Sequence, residues 1–234
     1  MNSERTPYEQ HSNDIRMARA YSVREVVKMK KNKIPFTGIW QDAFANPESK
    51  GVWFIWGQSG NGKTSFMMQL CKELCKHGRV IYDSFEQGTS LSMQETLVRH
   101  GMMEVNKRFS LLDREPIDEL SERLAKPKSA DFVVIDSFQY TGMSLARYRE
   151  FAGRHRNKLL IFVSHADGNR PGGRTAEKVA YDADQKIFVE GFKAIAKGRF
   201  VGPVGEYTIW EDGAKRYWGA KGRTGINATS SHQQ

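Results

Sequence analysis

Residues 57–64 read GQSGNGKT, preceded by GVWFIW at 51–56 and followed by SFMMQLCKELCK at 65–76. The octapeptide matches G-x-x-x-x-G-K-[ST] in full, and an apolar strand before it and a helix after it are the context that gives the pattern meaning. Phosphate oxygens need several backbone N–H donors converging at once. Gly57, Gly60 and Gly62 permit the turns that aim those donors, and the following helix adds the positive end of its dipole. The phosphate cradle is therefore expected from Gly57, Gln58, Ser59, Gly60, Asn61, Gly62, Lys63, Thr64 and Ser65. Lys63 would reach the β- and γ-phosphates of ATP, and the Thr64 hydroxyl would ligate Mg²⁺.

Outward from this loop the pattern is βαβα. A helix over about 63–77 stops at Gly78, and RVIYD (79–83) reads as the next strand. A helix near 92–100 follows, with Ser92 and Glu95 at capping-box spacing and Gly101 as terminator. RFSLL (108–112) precedes a helix that Pro116 opens and Pro127 closes. The runs DFVVI (131–135) and KLLIFV (158–163) flank a helix around 144–155, and their near-continuous apolar character suits central parallel strands. After 185, QKIFV, FKAIAKGRF and GEYTIW predict antiparallel strands closing a doubly wound, mostly parallel α/β core.

A phosphate loop of this kind requires an acidic partner for the metal at the end of another apolar strand. FVVIDS places Asp136 there, acting on Mg²⁺ through water in the metal's coordination shell. The attacking water needs a carboxylate as well. VIYDSFEQG offers Asp83 and Glu86 just past the second strand, and spacing alone does not separate them.

Composition narrows the setting. The 234 residues carry 36 Lys+Arg against 27 Asp+Glu, a net charge of +9. No run of about 18 apolar residues is present, so no membrane span is expected. The start MNSERTPYEQ lacks an apolar core of the secretory type, and only Cys71 and Cys75 occur, which points to a reduced cytoplasmic protein. Those cysteines, at i and i+4 of the first helix, read as small buried residues. The charge is uneven: residues 15–33 hold +6, residues 193–223 hold +4, and the remaining 184 net −1. Residues 1–35 thus read as a basic arm, possessing a helix striped by Val23, Val26 and Val27, residues 36–220 as the catalytic domain, and 221–234 as a disordered tail.

In order, GQSGNGKT, IYDSFEQG, FVVIDS, LLIFVSHADGNRPGG and IAKGRFVGPVGEYTIW resemble the RecA-like ATPase superfamily, within it the branch of RadA and the DnaB-type helicases. The resemblance spans roughly 36–218 and implies a RecA-like fold, Mg²⁺-dependent ATP hydrolysis, a homo-oligomer (ring or filament) and action on single- or double-stranded DNA in recombination, repair or replication. It implies that Glu86, rather than Asp83, is the catalytic carboxylate, and that His165 senses the γ-phosphate. It places Arg170 and Arg174 in a glycine-rich DNA loop at 166–178. Lys197 and Arg199 correspond to cations that reach the γ-phosphate held by a neighbouring subunit. RadA proteins typically read K-N-R-F-G where this chain reads K-G-R-F-V-G, and their zinc ribbon and C-terminal domain have no counterpart in the motifs here. Two rival readings stay open on sequence: a small P-loop kinase acting on a metabolite, and a nucleotide-gated protein-interaction module.

Overall fold

A computed structural model describes residues 19–228, with side chains described through residue 220. The chain divides between Lys31 and Asn32. Before that boundary lies α1 (Val23–Lys28), whose N-cap Ser22 and Glu25 form a reciprocal capping box. Among the described residues of the arm six are helical, and Val23, Val26 and Val27 are all exposed.

Beyond it, Ile34 and Phe36 are already buried, so the core begins a few residues before position 36. Then come α2 (Ile39–Phe44), β1 (Gly51–Gly57), α3 (Lys63–Leu74), β2 (Val80–Ser84) and α4 (Leu91–Arg99). β3 (Phe109–Leu112), α5 (Ile117–Ala125), β4 (Phe132–Asp136), α6 (Leu145–Arg154) and β5 (Leu159–Asp167) follow. The chain continues through β6 (Arg170–Pro171), α7 (Arg174–Asp182), β7 (Gln185–Glu190), β8 (Lys193–Ala196), β9 (Glu206–Thr208) and α8 (Glu211–Ala228).

The strands form one sheet in the order β3-β2-β4-β5-β1-β7-β8-β9, with β6 paired to β5. From β3 to β7 every neighbour is parallel, and β8 and β9 close the edge antiparallel. This is the expected fold class. Central strands covered on both faces need apolar residues at every position, and alternate residues then serve opposite layers. Trp53 and Ile55 of β1 face α2 and α3, packing with Phe44, Phe66, Leu70 and Leu74. Phe54 and Trp56 face α5, α6 and α7, packing with Leu120, Phe151 and Val179. Cys71 and Cys75 are free and buried, as read from the sequence.

Four local expectations change. The cap of α4 is Ser90, which accepts from Met93 N, two residues before the expected Ser92 with Glu95, and Met93 and Thr96 are the buried residues of the helix. β5 runs on to Asp167 and turns into a hairpin with β6, so Arg170 lies on a strand and Arg174 starts α7, where a long glycine loop was expected. The third is α8, which the sequence had not suggested: it continues to Ala228, past the point where an unstructured tail was expected. Its Tyr217 donates to Glu190 at 2.8 Å and its Trp218 to Gly191 O at 3.1 Å, contacts to a distant turn that local periodicity does not reveal. Lastly, Lys193–Ala196 is a much shorter strand than FKAIAKGRF suggested: Lys197 and Arg199 keep single backbone bonds beside β7, and residues 202–205 then pack on α2, where Gly202 lies against the Asp42 carbonyl. No described helix is long and apolar enough to cross a membrane.

Asp83 carries a stability consequence. It is fully buried, accepts from Glu115 N at 3.1 Å, and its Oδ2 meets no partner among the described residues. Burial drives its pKa from 3.8 up to about 6, against the pull of the Glu115 hydrogen bond. The folded pKa is raised, so the protonated form favours folding: that contribution is full below about pH 4 and lost as pH rises through about 6. Asp83→Asn should therefore stabilise the protein at pH 7.5 by on the order of 2 kcal/mol, roughly 4–8 °C in melting temperature. Melting curves at a series of pH values check this, and the advantage should close near pH 4.

Candidate active site

The sheet register assembles the site. Gly57 at the end of β1 is paired with His165 on β5, and Asp136 at the end of β4 is paired with Val163 of β5 and Ser84 of β2. The carboxyl ends of four parallel strands thus stand side by side, the place where open α/β sheets bind ligands. Because β5 sits between β1 and β4, His165 lies between the phosphate loop and the acidic residues.

The loop itself is braced from the β7–β8 turn. Asn61 Oδ1 accepts from Gly191 N at 2.7 Å, and Asn61 O accepts from Phe192 N at 3.3 Å. Gly62, at φ +94°, adopts a left-handed conformation that lets α3 begin at Lys63. Lys63 Nζ donates to Gln58 O at 3.0 Å, folding back over its own loop. Burial lowers the Lys63 pKa, while the negative charges of Asp136 and Glu86 oppose that shift.

Asp136 is almost wholly buried, and Tyr82 Oη donates to its Oδ2. Burial raises its pKa from 3.8 to about 6, against the Tyr82 hydrogen bond and the charges of Lys63 and His165, with Glu86 adding to the rise. Two backbone donors, Phe85 N and Glu86 N, meet the Asp136 carbonyl at 2.5 and 3.2 Å and tie the β2 loop to β4. The Glu86 carboxylate then meets His165 Nε2 at 3.2 Å, and Ser137 Oγ lies 3.4 Å from the same nitrogen. Gln139 accepts from His165 N at 3.3 Å and donates to Ser164 Oγ at 2.7 Å and Gly172 O at 3.0 Å.

Lys63, Thr64, Glu86 and Asp136 line one open cleft of about 390 Å³, with Ser59, Gly60, Gly62 and Ser65 on its loop side. Geometry separates the two carboxylates that spacing had left together: Glu86 lines the cleft, whereas Asp83 is buried on the opposite face of β2 against the Glu115 backbone. A second cleft of about 470 Å³ adjoins the first through Ser65, Arg99 and Phe192, and Ile209 and the half-exposed Trp210 add apolar wall.

The remaining expected residues lie elsewhere. Arg170 and Arg174 are exposed on the β5–β6 hairpin and the start of α7, and Gly172 N donates to His165 O at 2.8 Å. Lys197 and Arg199 sit at the other end of the sheet, where their backbone N–H groups bond Lys186 O and Asp184 O. Val189, three residues beyond Lys186, is the one that meets Gly57, so both cations are roughly 10 Å or more along the strand from their own loop. Arg199 pairs with Asp184 at 3.1 Å, and Lys197 lies 4.9 Å over the Phe188 ring. Tyr82, Gln139, Arg99, Phe192 and Trp210 were not singled out from sequence, since each acts through a strand register or turn that no motif encodes.

Comparison with known proteins adds a fold and little more. No family model matches the chain. The uncharacterized protein V3 of Sputnik virophage is 28% identical over 125 residues, 52% of this chain and 49% of that protein, so the chain spans about half the length of this curated relative. The solved structure of the flagellar accessory protein FlaH from Methanocaldococcus jannaschii superposes with a TM-score of 0.57 at 15% identity, covering 76% of this chain and 92% of that one. The fold is RecA-like: a mainly parallel α/β sheet with antiparallel C-terminal strands.

Glycine is required at 57 for a different reason than at 60. A Cβ on Gly57 would stand 2.2 Å from the Val189 carbonyl oxygen, a backbone atom that cannot swing aside. Gly60, at φ +78°, has open space around it and would suffer only conformational strain. Gly57→Ala should cost on the order of 3 kcal/mol or more by prying β1 from β7, and Gly60→Ala about 1–2 kcal/mol. Urea unfolding of the two variants beside the parent distinguishes the cases.

Proposed function

We propose that this chain is an ATP-hydrolysing enzyme of the RadA/DnaB-like branch, working as a homo-oligomer on DNA. The observation that carries the reading is the single cleft in which a complete phosphate loop faces both Glu86 and Asp136. In this reading the loop from Gly57 to Ser65 wraps the triphosphate with backbone N–H groups, and Lys63 leaves Gln58 O to contact the β- and γ-phosphates. The adjoining cleft takes the base, with Phe192 and Trp210 supplying apolar surface.

The donors suit magnesium: the Thr64 hydroxyl and the Asp136 carboxylate are hard oxygen ligands on the rim of a phosphate cleft, and magnesium draws its other ligands from phosphate and water. Bound there, the ion would neutralise charge between the β- and γ-phosphates. Thr64 would hold it directly and Asp136 through water. Glu86 receives the proton of the attacking water and orients it in line with the γ-phosphorus. His165, 3.2 Å from Glu86, aims that carboxylate and reports phosphate occupancy to the hairpin through Gly172 and Gln139. Arg170 and Arg174 on that segment would meet the DNA backbone.

Lys197 and Arg199 are too far along the sheet to serve their own cleft, which supports a role at a neighbour's γ-phosphate. The active unit is then an oligomer.

Turnover of ATP, with inorganic phosphate as product, tests the chemistry, and a phosphorylated small molecule would instead indicate a kinase. Lys63→Ala should abolish turnover. Glu86→Gln should keep ATP binding and lose about 10²–10³-fold in turnover; unchanged turnover removes Glu86 as base. Addition of single- or double-stranded DNA at low salt should raise the rate, and absence of both binding and stimulation defeats the DNA reading. Mixing inactive Glu86→Gln with inactive Arg199→Ala should restore up to about a quarter of parental turnover, since such mixing rebuilds that share of intersubunit sites. No recovery on mixing argues against action across a boundary.

A further inference from the structure

Tyr82 sits in the apolar layer between the sheet and α3, fully buried among Cys71, Leu74 and Val134, with its ring 6.3 Å from that of Phe109. A phenylalanine would fill that layer equally well. A hydroxyl placed there loses its hydration and must find a partner. The partner is Asp136, whose Oδ2 accepts from Tyr82 Oη.

The register makes this meeting specific. Tyr82 is paired with Val134, and Ser84 with Asp136, so Tyr82 lies diagonally two residues behind the acid on the same sheet face. Two residues of strand rise are about 6.6 Å, a span that a phenol crosses and a serine or threonine hydroxyl does not. By taking Oδ2, the phenol fixes the carboxylate's rotation and leaves Oδ1 as the oxygen available to the cleft that Asp136 lines.

We infer that Tyr82 is a positioning residue for the metal: it locks the Asp136 carboxylate in the orientation that holds the magnesium-bound water of a nucleotide complex. The inference rests on the reading of Asp136 as the metal's acidic partner. Outer partners of this type set metal affinity because a ligand free to rotate must be ordered on binding. Tyr82 is fully buried and does not line the cleft, so its effect should fall on metal affinity, leaving nucleotide affinity without metal unchanged.

The test uses Mn²⁺ as a paramagnetic stand-in for magnesium, titrated into the full-length protein with a non-hydrolysable ATP analogue and followed by electron paramagnetic resonance. Tyr82→Phe should weaken Mn²⁺ binding about tenfold, keep analogue binding in EDTA at the parental level, and raise the Mg²⁺ concentration for half-maximal turnover while kcat recovers at saturating Mg²⁺. Asp136→Asn separates the two claims. If Asp136→Asn binds Mn²⁺ as tightly as the parent, the metal reading of Asp136 falls and the inference with it. If Asp136→Asn loses the ion and Tyr82→Phe matches the parent, the role of Tyr82 alone is overturned. Should Tyr82→Phe fail to fold, tyrosine labelled with ¹³C at Cζ carries the test. The resonance that differs between the parent and Asp136→Asn marks Tyr82, and it must shift when Mg²⁺ joins the analogue-loaded parent; a resonance that stays in place overturns the inference.

Discussion

The close approach of β1 to β7 at Gly57 is the constraint on which the site depends. Gly57 leaves no room for a side chain against the Val189 carbonyl, so the two strands pair up to the point where the phosphate loop departs. That pairing delivers the chain from β7 into the Gly191–Phe192 turn directly beside the loop. There Asn61 caps Gly191 N, Ile209 N donates to Phe192 O at 2.8 Å, and Trp218 of α8 donates to Gly191 O. Three distant segments thereby converge on one turn, and the turn in turn sets the shape of the loop. A phosphate cradle needs its N–H groups aimed before the ligand arrives, because groups ordered only on binding subtract from affinity. The antiparallel edge and α8 supply that rigidity.

Electrostatics at the same strand ends work against the fold. Asp136 is buried beside Glu86, and burial pushes its pKa to about 6. Lys63 is desolvated in the same cleft and its pKa falls. Each group would be better hydrated in the unfolded chain, so burying these charges works against folding. Tyr82 and His165 temper the cost by contacting Asp136 and Glu86, one from within the core and one from the end of β5. Asp83 shows the same desolvation without a ligand-facing role. A raised carboxylate pKa is therefore a sign of burial first, and only position in the cleft distinguishes the site residue from the structural one.

The loop, the strand-ending Asp136 and the parallel α/β class were legible in the sequence because each is local: glycines for left-handed turns, apolar runs for covered strands, an acid where a run stops. That Glu86 and not Asp83 lines the cleft was not legible from spacing: Glu86 follows β2, whereas Asp83 lies within it and the pleat turns it to the opposite face. Gln139, Phe192 and Trp210 were missed for a related reason. Gln139 and Phe192 matter through partners at least 25 residues away, Gln139 at Ser164 and Phe192 at Asn61, and Trp210 packs on the Phe192 ring. The 166–178 segment was misread in the other direction. The resemblance placed a glycine-rich loop there, yet Trp56 Nε1 donates to Asn169 O at 3.0 Å and Gly172 is bonded to His165, so tertiary contacts form a hairpin.

The net charge gains meaning from this architecture. Of the late basic residues, Lys193 is held against Glu206 near the loop, whereas Lys197 and Arg199 sit at the far end of the same sheet edge. The first is neutralised within the chain. Among the described residues Arg199 pairs with Asp184, whose other oxygen already accepts from Val52 N at 3.1 Å, and both Lys197 and Arg199 are exposed. An exposed ion pair of that kind contributes about 0–1 kcal/mol and is readily exchanged for a stronger anion. A γ-phosphate presented by a second subunit is such an anion, so on the proposed reading catalysis is completed by assembly, and the cations that an isolated chain leaves at its edge become the last elements of a neighbour's site.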